Sequence, residues 1–154
     1  MDKDPFVEQF LSLSEALTGF IRFDLLATSF AEQYCQIFRN NIGSKTLSDI
    51  FEIWARIVSE HPSGDQADSI ASDLMGDPVV RAALQRLIML WYTGSWYDTL
   101  PYGEEVVSPQ SFVEGLMWRA MAAHPMAAKP QGYGAWALEP PKSTYAGGSD
   151  GHAL

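Results

Sequence analysis

Hydrophobic residues in this chain recur at intervals of three and four, and almost every such run begins at a capping signal. Asp4 followed by Pro5 is an N-cap with proline in the first turn, Phe6, Phe10, Leu13 and Leu17 line one side, and Gly19 supplies a stop, which predicts a first helix over 6–18. Asp24 reads as the cap of a second helix running to about Asn40, striped by Leu26, Phe30, Tyr34, Ile37 and Phe38, with Cys35 beside the stripe. Thr46 opens a third, with Asp49 in the capping-box position and Leu47, Ile50, Phe51, Trp54, Ile57 and Val58 at the spacing of one helical face. After the break at "HPSGD", residues 65–75 read as a short amphipathic helix with Ile70, Leu74 and a stop at Gly76. Asp77 and Pro78 repeat the cap-and-proline signal. The helix they start ends in "LQRLIMLWYTG", apolar almost all round, as in a helix at the centre of a bundle. Ser108 and Pro109 give the signal again for a last helix over 110–123, stopped by His124 and Pro125. No run alternates convincingly enough to predict a strand.

The pattern therefore predicts an all-α fold, an irregular bundle of about six helices in a domain over 1–125. From Met126 onward neither period survives, and Pro130, Pro140 and Pro141 stand among Gly132, Gly134, Gly147, Gly148 and Gly151. Residues 126–154 are expected to form an extended, aromatic-bearing C-terminal tail. A chain of 154 residues is long enough for one core without metal or disulfide support, and its 47% hydrophobic content is far from the disordered regime.

Charge narrows the partners. Ten Lys and Arg against nineteen Asp and Glu give a net charge of −9, which repels nucleic acid and anionic lipid surfaces. Cys35 is the only cysteine, so no internal disulfide and no thiolate metal cluster is expected, and it reads as a small buried hydrophobe. The longest weakly charged apolar run, 87–97, is too short for a bilayer span of about 20 residues, so no direct membrane insertion is expected. The opening "MDKDPFVEQF" carries neither an export signal nor a twin arginine. Expressed from this start, the chain is expected in the cytoplasm. It is expected in the periplasm, or at the periplasmic face of the membrane, if a partner carries it or a signal has been removed.

Catalytic patterns fail in context. Gly132, Gly134 and Ala137 spell G-x-G-x-x-A, but "HPMAAKPQ" before them reads as coil and "LEPP" after them forbids a helix, so the dinucleotide fingerprint has neither its strand nor its helix. His61 and His124 both precede proline at helix ends and His152 lies in the tail, with no pair at ligand spacing. Glu104 and Glu105 read as a solvated acidic pair in a loop, and no G-x-S-x-G or P-loop occurs. The reading assigns no catalytic, cofactor-binding or metal residue.

What stands out instead is aromatic. Tyr133 and Trp136 lie where no local core can form, and they are expected to cover either the chain's own bundle or a second protein. A second stretch, "YTGSWYDTLPYGEE", is expected to be a loop exposing four aromatics among turn formers.

"LWYTGSW" followed by "VSPQSFVEGLMWRAMAAHPMAAKPQGYGAWALEPP" resembles the small subunit of bacterial membrane-associated FAD-dependent sugar and sugar-alcohol dehydrogenases, those acting on sorbitol, gluconate, fructose and glucose. The resemblance spans about 87–141 and rests on Leu116, Trp118, Arg119, His124, Pro125, Lys129, Pro130, Gly132, Gly134, Trp136 and Pro140. It implies a non-catalytic subunit that binds, matures and escorts a large flavoprotein of the glucose–methanol–choline type. FAD and the sugar chemistry then belong to that partner, and electrons pass on through a haem-containing subunit. The partner-binding residues so implied are Trp91, Tyr92, Trp96, Tyr97, Tyr102, Trp118, Lys129, Gln131, Tyr133, Trp136 and Pro140. This chain departs from the family in lacking the twin-arginine signal that such subunits often carry. Two other readings stay open: that the chain is itself a small FAD-dependent sorbitol-type dehydrogenase, and that it is an interaction module unrelated to redox chemistry.

Overall fold

The computed structural model describes residues 4–62, 64, 66–123 and 125, and these form a mostly helical fold. The first helix, α1 (Pro5–Thr18), starts and stops where the sequence places it. The Asp4 carboxylate accepts from the Phe6 amide at 3.0 Å, and Gly19 closes the helix in the left-handed region at φ 76°. Its buried residues Phe10, Leu11 and Leu13 meet the central helix α6 (Pro78–Thr93). That helix begins at the expected cap, Asp77, whose carboxylate accepts from both Val79 and Val80, and it buries Val80, Ala83, Leu84, Leu87, Leu90 and Trp91. The apolar far half is indeed the middle of the bundle.

The second expected helix is two helices. Arg22–Ala27 (α2) and Ala31–Asn41 (α3) are separated at Thr28, Ser29 and Phe30. The Thr28 hydroxyl donates to the Leu25 carbonyl at 2.7 Å and accepts from the Phe30 amide at 3.2 Å, while Ser29 takes a positive φ of 63°. A side chain that bonds both ends of a break offers the backbone an alternative to the helical ladder. Asp24 caps nothing. It is buried inside α2, where Arg119 donates to it at 3.0 Å.

Helix α4 (Ser44–Glu60) starts two residues before Thr46, after Gly43, and Asp49 spends its carboxylate on Lys45 at 2.8 Å rather than in a capping box. The expected helix over 65–75 is a single α turn, α5 (Ala67–Ser69), running into a π turn (Ile70–Leu74), and only Leu74 is buried. The last expected helix is also divided, into α7 (Pro109–Val113) and α8 (Leu116–Ala120), with Gly115 between them. The Ser108 signal itself holds. Ser108 Oγ accepts from the Ser111 amide at 3.0 Å and Ser111 Oγ accepts from the Ser108 amide at 2.9 Å, a reciprocal cap.

The largest departure lies between α6 and α7. Residues expected to be loop form an antiparallel hairpin, β1 (Ser95–Thr99) with β2 (Tyr102–Val106), registered Ser95 to Val106, Trp96 to Glu105, Tyr97 to Glu104 and Thr99 to Tyr102. The turn between the strands contains a cis Leu100–Pro101 bond. The core of the whole fold gathers α1, α3, α4, α6 and the first turn of α8 around Trp91, Tyr34, Phe10 and Phe38. Cys35 is buried within it, as expected.

Candidate partner-binding face

The hairpin is fastened to the end of α6 by one backbone group. Gly94 closes α6 at φ 70°, and its carbonyl oxygen accepts from the Val107 amide at 3.1 Å and the Ser111 hydroxyl at 2.8 Å, tying the start of β1, the end of β2 and α7 together. A β-carbon at Gly94 would lie 2.3 Å from the Ser111 carbonyl, so glycine is required there by both conformation and space.

From that anchor the two faces of the hairpin diverge. Successive strand residues point to opposite faces, so Trp96, Asp98 and Glu105 share one face and Tyr97, Tyr102, Glu104 and Val106 the other. Trp96 is turned inward and is 4% exposed. The Arg86 guanidinium sits 5.4 Å from its ring centroid and donates to the Asp98 carbonyl at 3.1 Å. On the other face Tyr97 is half-buried, while Tyr102 is 75% exposed and Val106 51% exposed. Burial raises the Tyr97 phenol above its ordinary value, and its hydrogen bond with the Glu104 carboxylate adds to the shift.

The aromatic residues assigned to partner binding thus divide. Trp91 is fully buried, its indole N–H donating to Ser14 Oγ at 3.0 Å and its ring 5.0 Å from that of Tyr34, so in this fold it builds the core rather than a contact surface. Tyr92 is half-buried and donates to the Thr18 carbonyl at 2.9 Å. Trp96 is likewise inside. The expected exposed loop is therefore a structured hairpin, in which Tyr102 is freely presented and Tyr97 partly so. Trp118 is half-buried on α8, packed edge-on against Phe112 at 5.4 Å with its N–H on the Phe112 carbonyl at 2.8 Å. Lys129, Gln131, Tyr133, Trp136 and Pro140 lie outside the described residues, as does His124.

A cleft of about 270 Å³ opens where the inward face of the hairpin meets α3, lined by Gln33, Ile37, Asn41, Trp96, Glu105 and Val107. Among the described residues, two buried side-chain polar atoms have no hydrogen-bond partner, Ser95 Oγ and Trp96 Nε1. Sequence reading had no access to this cleft, because Gln33 and Asn41 are separated from Glu105 by more than sixty positions and only the hairpin brings them together. Glu104 and Glu105 are strand neighbours that point to opposite faces, so they do not act as a pair.

Outside the hairpin the described surface carries further features, two of which bear on function. Ile21, Phe23 and Leu26 are exposed along α2, where Arg22 is drawn away into ion pairs with Glu8 and Glu15. His61, at the end of α4, shares a 3.0 Å hydrogen bond through Nε2 with Ser69 Oγ. Among the described residues no group of His, Cys, Asp and Glu could hold a metal ion, and no helix is long and apolar enough to cross a membrane. Comparison with protein-family models, with curated proteins and with solved structures finds no match to this chain.

Proposed function

We propose that this chain is a non-catalytic small subunit that binds and matures a large FAD-dependent sugar or polyol dehydrogenase, with FAD held by the partner. The observation that carries the reading is the residue run from Leu116 to Pro140, including Trp118, Arg119, Lys129, Pro130, Gly132, Gly134 and Trp136. The hairpin supports it. A strand exposed along all five residues, with an aromatic at its turn, is the kind of surface that a second chain covers. The contacts on this reading are Tyr97, Tyr102 and Trp118 from the folded part, and Lys129, Gln131, Tyr133, Trp136 and Pro140 from the tail.

The deciding experiment is purification of the tagged chain from its native cell. The expected result is a stoichiometric large flavoprotein in the complex, and a colourless small subunit when the chain is purified alone. A yellow isolated chain would transfer the reading to the rival, a small flavin oxidoreductase. A partner without flavin would remove the redox reading altogether.

A further inference from the structure

A buried donor without a partner is rare in folded proteins, since it has given up its bond to water without a replacement. Trp96 is such a donor, and its ring lines the α3–hairpin cleft. We propose that this cleft receives an extended, basic segment of the partner chain, whose backbone carbonyl accepts the Trp96 N–H and whose Arg or Lys side chain pairs with Glu105. The inference rests on the proposed function only for the existence of a partner.

Each element of the chemistry comes from the lining. An indole N–H requires an acceptor, which a peptide carbonyl supplies and an apolar side chain does not. The Asn41 amide nitrogen donates to the Ile37 carbonyl at 2.9 Å, which leaves its oxygen as an acceptor; the Gln33 amide offers both functions. A donor at one wall and donors plus acceptors along the rim match a peptide backbone. The N–H is covered by its surroundings, but Gln33 is an exposed side chain on α3 that can swing aside for an entering chain. A volume of about 270 Å³ suits one or two residues rather than a folded surface.

Charge selects the source. Glu105 lines the cleft and Asp98 shares its face of the hairpin, while Arg86 is held over the Trp96 ring and on the Asp98 carbonyl. A second copy of this chain, at net charge −9, is repelled. The chain's own tail carries Lys129 and Lys142 against Glu139 and Asp150 and so brings no net charge to the site. A basic segment of another protein is the complementary occupant.

The test uses the full chain, ¹⁵N-labelled, and reads the Trp96 indole resonance while N-acetyl-Gly-Arg-Gly-amide is added, with the Glu analogue N-acetyl-Gly-Glu-Gly-amide as control. A saturable shift is expected with the Arg peptide at low salt, weakened severalfold by Glu105→Gln and roughly fivefold by Trp96→Phe read at a neighbouring resonance, the factor one neutral hydrogen bond supplies. Glu105 is exposed, so its substitution keeps the fold. Equal shifts from both peptides, or none at Trp96, would overturn the proposal. So would a Trp96 resonance that moves, with no peptide added, on Tyr133→Ala or Trp136→Ala, because the tail would then be the occupant. None of these outcomes depends on whether a flavoprotein co-purifies.

Discussion

Trp91 and Trp96 are five residues apart, both are at least nine-tenths buried, and they serve opposite ends. Trp91, on the last turns of α6, stacks on Phe10, meets Tyr34 edge-on and gives its N–H to Ser14, seventy-seven positions away. Trp96, on the hairpin, lies under Arg86 and gives its N–H to no one. Burial alone would class them together. Polar satisfaction separates them, because a core built for stability pairs its donors, whereas Trp96 leaves its N–H unpaired beside a cleft.

The sharpest way to break this comparison is to truncate both rings. Trp91→Ala is expected to cost about 3–5 kcal/mol in chemical denaturation, the cavity and transfer cost of a large core aromatic. Trp91→Phe should still cost about 1–3 kcal/mol, since it strands the Ser14 hydroxyl. Trp96→Phe removes a donor that has no partner, so its effect is expected to stay within about 1 kcal/mol of zero. Equal costs for the two Phe variants would mean that Trp96 is an ordinary core residue.

Gly94 is the joint between the two regions. Gly94→Ala places a β-carbon 2.3 Å from the Ser111 carbonyl at a positive φ, so a loss of at least about 2 kcal/mol is expected, larger than the left-handed penalty alone. Far-ultraviolet circular dichroism on the same variant should retain its helical minima. If the helices melt with the hairpin, the two regions are one cooperative unit and not a core with an appended face.

The core also carries a shifted titration of its own. Burial pushes the Cys35 thiol from 9.0 up to about 11. A folded-state value above the unfolded one means that the unfolded chain releases its proton first, so this contribution is intact below pH 9 and is lost as pH rises through 11. The loss is expected to be on the order of 2 kcal/mol, absent in Cys35→Ala, and accompanied by slow reaction of the native thiol with a disulfide reagent.

How far the sequence anticipated this arrangement depends on where the deciding contact lies. Asp4–Pro5, Gly19, Asp77–Pro78 and Ser108 act within four residues of themselves, and each does in the structure what local chemistry predicts. Asp24 looked identical to those caps, but a residue ninety-five positions away, Arg119, claims its carboxylate. Thr28 and Gly115 interrupt helices whose apolar stripes run on without a gap, and a stripe cannot report a side-chain bond to the backbone or a close approach such as that of Gly115 to the Tyr92 carbonyl. The hairpin escaped notice because "SWYDT" and "YGEEV" carry their apolar residues on only part of each strand, β2 being exposed throughout. Its cleft was illegible for the same reason, since Gln33, Ile37 and Asn41 of α3 meet Trp96, Glu105 and Val107 only after the hairpin forms.

The smallest effect on the folded chain, and the one that bears most directly on function, is expected at Tyr102. Its ring is 75% exposed beside the hairpin turn, so truncation removes almost no burial, and Tyr102→Ala should change the stability of the isolated chain by no more than about 0.5 kcal/mol. An aromatic that contributes so little to its own fold is free to act as an anchor for another protein. If it does, the same substitution should weaken the complex by about 2 kcal/mol, roughly 30-fold, because burial of a tyrosine at the centre of an interface is a common source of binding energy. Titration calorimetry or surface binding with the proposed large subunit, once purified, reads that number, and a parallel thermal melt reads the first. Weakened assembly with an unaltered melt places the outward face of the hairpin in the contact. An unaltered affinity would move the contact elsewhere, to the exposed Ile21, Phe23 and Leu26 of α2 as the next surface to test, and would leave Tyr102 a solvated turn residue.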